Sequence, residues 1–117
     1  MYRFSALLFS LYILVSSTPL LGVEVVVDND DGTPGYEETG EWTTSSSTGY
    51  EGGTYRYVFG VSGEATATAT WTPELPESRT YEVYAAYRQS TNRADDVHLT
   101  INHANGTADV TINQNGP

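Results

Sequence analysis

Between Arg79 and Arg88 the chain alternates with a period of two. Tyr81, Val83, Ala85 and Tyr87 fall on one side of an extended backbone, and Glu82, Tyr84, Ala86 and Arg88 on the other. A helix would scatter both sets around its axis, so this pattern demands an antiparallel sheet with one face on a core and one in water. A proline-bounded turn, Trp71-Thr72-Pro73-Glu74-Leu75-Pro76, feeds the run. The same period recurs elsewhere. Residues 54–61 set Tyr55, Tyr57, Phe59 and Val61 against Arg56 and Val58, and residues 64–71 set Ala65, Ala67, Ala69 and Trp71 against Thr66, Thr68 and Thr70. Residues 97–103 place Val97, Leu99 and Ile101 inward. After the Asn105-Gly106 hairpin signal, Ala108, Val110 and Ile112 return on the same face. A β-branched run at residues 23–28 opens the series. Residues 36–53, rich in Ser, Thr, Gly and Glu, read as a long loop or irregular edge carrying Trp42 and Tyr50. The expectation is an all-β fold, an antiparallel, jelly-roll-like β-sandwich.

Residues 1–22 read as a secretory signal peptide: Arg3 gives the positive start, and residues 6–15 an apolar run shorter than the ~20 residues of a membrane span. Cleavage is expected after Ser17 or Gly22, leaving one small domain at residues 23–117 and a secreted or cell-surface location. The chain holds no cysteine, so disulfides and thiolate chemistry are excluded. Arginine is its only strong cation, and the formal net charge is −10. Such acidity repels phosphate backbones and anionic bilayers, which argues against nucleic-acid partners and against membrane insertion after leader removal.

The residues above, taken in order, resemble the golvesin C-terminal domain family, also described as the carbohydrate-binding-like domain of xanthan lyase. The resemblance opens at Val27-Asp28-Asn29 and passes through Trp42 to the Gly- and Tyr-rich approach Tyr50-Glu51-Gly52-Gly53-Thr54-Tyr55-Arg56. It continues through the alanines before Trp71-Thr72-Pro73, then Leu75-Pro76 and Tyr81-Glu82-Val83-Tyr84. It closes with the hairpin around His103, Gly106 and Gln114. What it implies is a non-catalytic β-sandwich module in secreted or surface proteins, beside a hydrolase, lyase or peptidase domain. Binding of a polysaccharide or other glycan is implied by the family's name. Family members continue into one more strand after the glutamine, so the fold is expected to lack its last strand here.

Sugar faces stack on rigid aromatic rings, which makes Trp42, Tyr50 and Tyr84 the candidate binding residues. Arg56 and Arg88 are candidates to grip a uronate or pyruvate carboxylate in bidentate fashion, or else to pair with Glu82, Glu64 or a nearby Asp. Trp71, Tyr55, Tyr57, Phe59, Tyr81 and Tyr87 fall on inward faces and read as core. Asp28, Asp30 and Asp31 suggest a calcium site, because hard cations take clustered carboxylates; the spacing does not fit an EF-hand loop, and the alternative is a self-capping turn. No other cofactor is expected. Asn105-Gly106-Thr107 is a glycosylation sequon at Asn105. His98 and His103 lie on opposite faces of one strand, and adjacent acids such as Glu37 and Glu38 read as solvated charge, so no catalytic set is expected. Two functions remain open: a glycan-binding accessory module, or a structural spacer packing on an adjacent domain of a larger protein.

Overall fold

The computed structural model describes residues 11–14 and 24–117. Nine strands run through them: β1 (Leu11–Leu14), β2 (Glu24–Val27), β3 (Tyr36–Thr39), β4 (Thr43–Thr44), β5 (Arg56–Tyr57), β6 (Thr68–Trp71), β7 (Glu82–Ala85), β8 (Val97–His103) and β9 (Gly106–Ile112). Every pairing is antiparallel. The strands form a three-stranded sheet in the order β2-β1-β7 and three two-stranded sheets, β3-β6, β4-β5 and β8-β9. Helical structure among the described residues is limited to two single 3-10 turns, Asn29–Asp31 and Tyr50–Gly52, and no helix is long and apolar enough to cross a membrane.

Part of the expected leader has a place in this fold. Residues 11–14 form β1, the middle strand of its sheet, with Ile13 opposite both Val25 and Val83. The other residues of 1–22, with both expected cleavage points, lie outside the described residues.

Among the described residues the core is small: Val27, Tyr36, Tyr55, Ala94 and Gln114 are buried. Tyr36 on β3 lies opposite Trp71 on β6, their rings 5.2 Å apart and tilted by 56°. Such a pair stabilises by roughly 0.5–1.5 kcal/mol beyond the area it buries. The hairpin β8–β9 keeps the expected register, with Val97, Leu99 and Ile101 opposite Ile112, Val110 and Ala108. Its apolar face is only partly covered: Val110 is 43% exposed.

Strand lengths depart from the alternation pattern for identifiable reasons. Of residues 54–61 only Arg56 and Tyr57 are strand, because their partner β4 is just Thr43–Thr44. Beyond it Phe59 is 60% exposed and meets Tyr57 edge-on at 5.7 Å, so it is not core. The expected strand at 64–71 begins only at Thr68. Its partner β3 ends at Thr39, and Gly40, at φ +82°, turns the chain away. A Cβ on Gly40 would lie 2.6 Å from the Thr66 carbonyl oxygen, so only glycine permits this approach. Conversely, the stretch 36–53 expected as loop contains β3 and β4. Tyr36-Glu37-Glu38-Thr39 does alternate, with Tyr36 buried and Glu37 exposed, but its acidic composition hides a strand that pairing with β6 stabilises.

Candidate functional site

The turn at Asp28–Asp31 sets the geometry of the first cleft. Asp28 caps the 3-10 turn: its Oδ1 accepts from the Asp30 amide at 3.0 Å, and its own amide donates to Asp31 Oδ2 at 2.7 Å. The Asp30 carboxylate accepts from the Thr54 amide at 2.7 Å and from the Thr54 hydroxyl. These acids therefore bind the chain together at the turn and across to residue 54. Among the described residues no group of three or more His, Asp or Glu side chains is arranged to hold a metal ion.

Above this turn a cleft of about 550 Å³ is lined by Asn29, Thr33, Tyr36, Glu38 and Arg56 among others. Arg56 reaches across from β5 to β3. Its Nε and Nη2 donate to Glu38 Oε1 and Oε2, both at 2.7 Å, in a bidentate pair. Its Nη1 donates to Thr44 Oγ1 at 2.5 Å and its Nη2 also to the Trp42 carbonyl at 3.2 Å. The Tyr36 hydroxyl completes the set, donating to Glu38 Oε1 at 2.7 Å. Arg56 holds the Glu38 carboxyl below its ordinary range, against the opposing effect of burial, and the Tyr36 bond adds to it. Burial first, then the Glu38 bond, push the Tyr36 hydroxyl far upward, so it stays a proton donor. Arg56 is thus paired with Glu38 rather than with Glu82 or Glu64. Its carboxylate-gripping edge is filled from within the protein.

A second cleft, about 360 Å³, opens between the 49–53 loop and the segment after β7, with Thr48, Tyr50, Glu51, Tyr87 and Arg88 on its walls. Glycines shape that loop. A Cβ on Gly49 would sit 2.0 Å from the Thr54 carbonyl oxygen, and Glu51 and Gly52 both adopt positive φ, at 46° and 88°. Closure by the Gly49 amide on the Gly53 carbonyl, at 2.7 Å, and the Gly53 amide on the Tyr50 carbonyl, at 2.8 Å, sets Tyr50 at the cleft wall. Arg88 Nη1 donates to the Thr48 carbonyl at 2.9 Å. Behind the wall lies the buried ring of Tyr55, with the guanidinium carbons of Arg88 and Arg93 each 5.9 Å from its centroid. Arg93 Nη2 also donates to the Tyr55 hydroxyl at 3.0 Å. Burial raises that hydroxyl's pKa, but bonds from Ser45, Arg93 and Ser47 and the Arg93 charge outweigh it, leaving a net downward shift.

The sequence candidates are therefore split between places. Tyr50 and Arg88 meet at the second cleft. Trp42 and Arg56 meet beside the first, where half-buried Trp42 donates from Nε1 to the Thr39 carbonyl at 2.9 Å. Tyr84 stands apart on β7, 48% exposed, with its hydroxyl donating to Glu82 Oε2 at 2.7 Å. Asn105 sits exposed in the two-residue turn between β8 and β9. Tyr87, expected as core, lines the second cleft instead. Arg93 gave no sequence signal at all: it lies in a polar loop, and only tertiary folding carries it to Tyr55.

The golvesin C-terminal domain model matches residues 25–116. A xanthan lyase of Bacillus sp. (strain GL1) is 37% identical over 91 residues, which cover 77% of this chain and 10% of that protein. The chain thus spans about a tenth of that relative's length. No solved structure matches. On a family match running from β2 through the hairpin to the residues beyond β9, the chain belongs to the golvesin C-terminal domain family.

Proposed function

We propose that this chain is a non-catalytic, β-sandwich-type accessory module of a larger extracellular protein and that it binds polysaccharide at the cleft between the 49–53 loop and Arg88. The observation that carries this reading is the convergence of two tyrosines and a guanidinium on one open cleft, Tyr50, Tyr87 and Arg88. Aromatic walls offer the apolar faces of a sugar ring a stacking surface, and an arginine fork donates to its oxygens. An open cleft suits a chain of sugars that must pass along it. Kinship with a xanthan lyase fits the same role, since that relative's name marks it as acting on a polysaccharide. The Asp28–Asp31 turn takes up calcium only if its internal hydrogen bonds open. Asn105, exposed at a hairpin turn, is accessible to glycosylation where the source supplies it.

The test is affinity electrophoresis of the full chain through gels containing xanthan or neutral polysaccharides, with and without calcium. Retardation that is lost in Tyr50→Ala but kept in Tyr84→Ala and Trp42→Ala supports the cleft. Retardation lost only in Tyr84→Ala moves the site to the outer face of β7. Free migration through every gel favours the second reading, a spacer that docks on a neighbouring domain. One observation favours that alternative: the partly bare apolar face of the β8–β9 hairpin, with Val110 at 43% exposure.

A further inference from the structure

Resting on that binding reading, we infer that the saccharide bound at the second cleft is anionic, with a carboxylate held by Arg88 and reinforced by the charge of Arg93. In a chain of net charge −10, carboxylates outnumber cations threefold, and ion pairing should consume the guanidiniums. Two are consumed: Arg56 by Glu38 and Arg79 by Glu77. Arg88 and Arg93 form no ion pair among the described residues. Both instead flank the Tyr55 ring, and their hydrogen bonds go to neutral oxygens, the Thr48 carbonyl and the Tyr55 hydroxyl.

The unused part of Arg88 is the informative one. In Arg56 the Nε and Nη2 donors form the edge that grips both oxygens of Glu38. In Arg88 the only bonded nitrogen is Nη1, on the Thr48 carbonyl, so the equivalent Nε–Nη2 edge has no partner among the described residues. Arg88 lines the open cleft, tied to the Thr48 carbonyl and set beside the Tyr55 ring, with its Nε–Nη2 edge unfilled by any described residue. A planar fork of this kind matches a carboxylate. Tyr50 and Tyr87 on the same walls select a carboxylate carried on a ring, as in a uronic acid, over a free small acid. Glu51 lies on the same cleft and opposes an anion, which limits affinity and gives a check of opposite sign.

The experiment is titration calorimetry of the full chain with a uronic-acid oligosaccharide and with the same oligosaccharide after its carboxyls are reduced to alcohols. The expected result is binding of the uronate form, about tenfold or more tighter than the reduced form, since a charge-assisted bidentate bond is lost. Arg88→Gln should erase that difference, Arg88→Lys should narrow it, Glu51→Gln should widen it, and Arg79→Gln should leave it unchanged. Arg93→Gln should narrow it; should that variant melt early through loss of its Tyr55 bond, Arg88→Gln decides, because Arg88 is exposed and its hydrogen bond goes to a carbonyl. Equal binding of both oligosaccharides overturns the anionic inference while upholding a polysaccharide module. A uronate preference that survives Arg88→Gln overturns the assignment to this edge. Binding of neither overturns both.

Discussion

Glu38 receives three donors, two from Arg56 and one from Tyr36, at a position where its side chain is 19% exposed. Replacing it by Gln leaves Arg56 without its bidentate partner and should lower stability by about 1–2 kcal/mol, read as a shift in the urea midpoint at pH 7. The pH dependence has a definite sign. A carboxyl whose folded pKa is depressed contributes stability that is fully present above its unfolded value, near 4.5, and is lost as pH falls through the lower folded value. Native chain should therefore lose stability below about pH 4.5 more steeply than Glu38→Gln, and equal slopes would show the pair to be idle. Gln114 makes the opposite case. It is 1% exposed, and neither Nε2 nor Oε1 of its carboxamide has a partner among the described residues. An unsatisfied buried polar group costs roughly 1–3 kcal/mol. Gln114→Met, of similar length and without those atoms, should raise the melting temperature by a few degrees; a fall would mean the amide is satisfied after all.

Among the elements, the 49–53 loop and the β8–β9 hairpin lie at opposite ends of constraint. The loop tolerates no side chain at Gly49, where a Cβ would lie 2.0 Å from backbone oxygen. Gly49→Ala should open the loop, displace Tyr50 and weaken saccharide binding about tenfold or more, with a stability loss on the order of 1–3 kcal/mol by chemical denaturation. The hairpin has a regular seven-residue register but packs chiefly on itself. A two-stranded ribbon with one face partly bare is marginal in water. Its amides should exchange with deuterium well before those of β3 and β6, where Tyr36 packs on Trp71.

At the scale of the whole molecule, the sheet β2-β1-β7 depends on its middle strand. β1 contributes both ladders, to Glu24–Val27 on one side and Glu82–Ala85 on the other. Deleting residues 1–22 removes it and leaves two facing edges unpaired, which is an invitation to pair with another chain. The shortened chain should melt at lower temperature and self-associate in sedimentation, and a peptide spanning residues 9–16 should reverse both. An unchanged, monomeric melt would show that β1 adds nothing to the fold. The sequence determined the all-β class and the antiparallel pairing by itself, because side-chain alternation in β7, β8 and β9 is a local property of an extended backbone. It also carried the family, through the order of Trp42, Tyr50 to Arg56, Trp71 and the final hairpin. It made Tyr50 and Arg88 candidates, the first as an aromatic in a polar loop segment and the second as a guanidinium on an outward strand face. Only the tertiary structure decided that those two share a cleft while Arg56 turns inward to Glu38, and that Arg93 joins Arg88 at Tyr55. Pairing across 18 to 40 residues depends on where loops bring the backbone, and no periodicity along the chain records that distance.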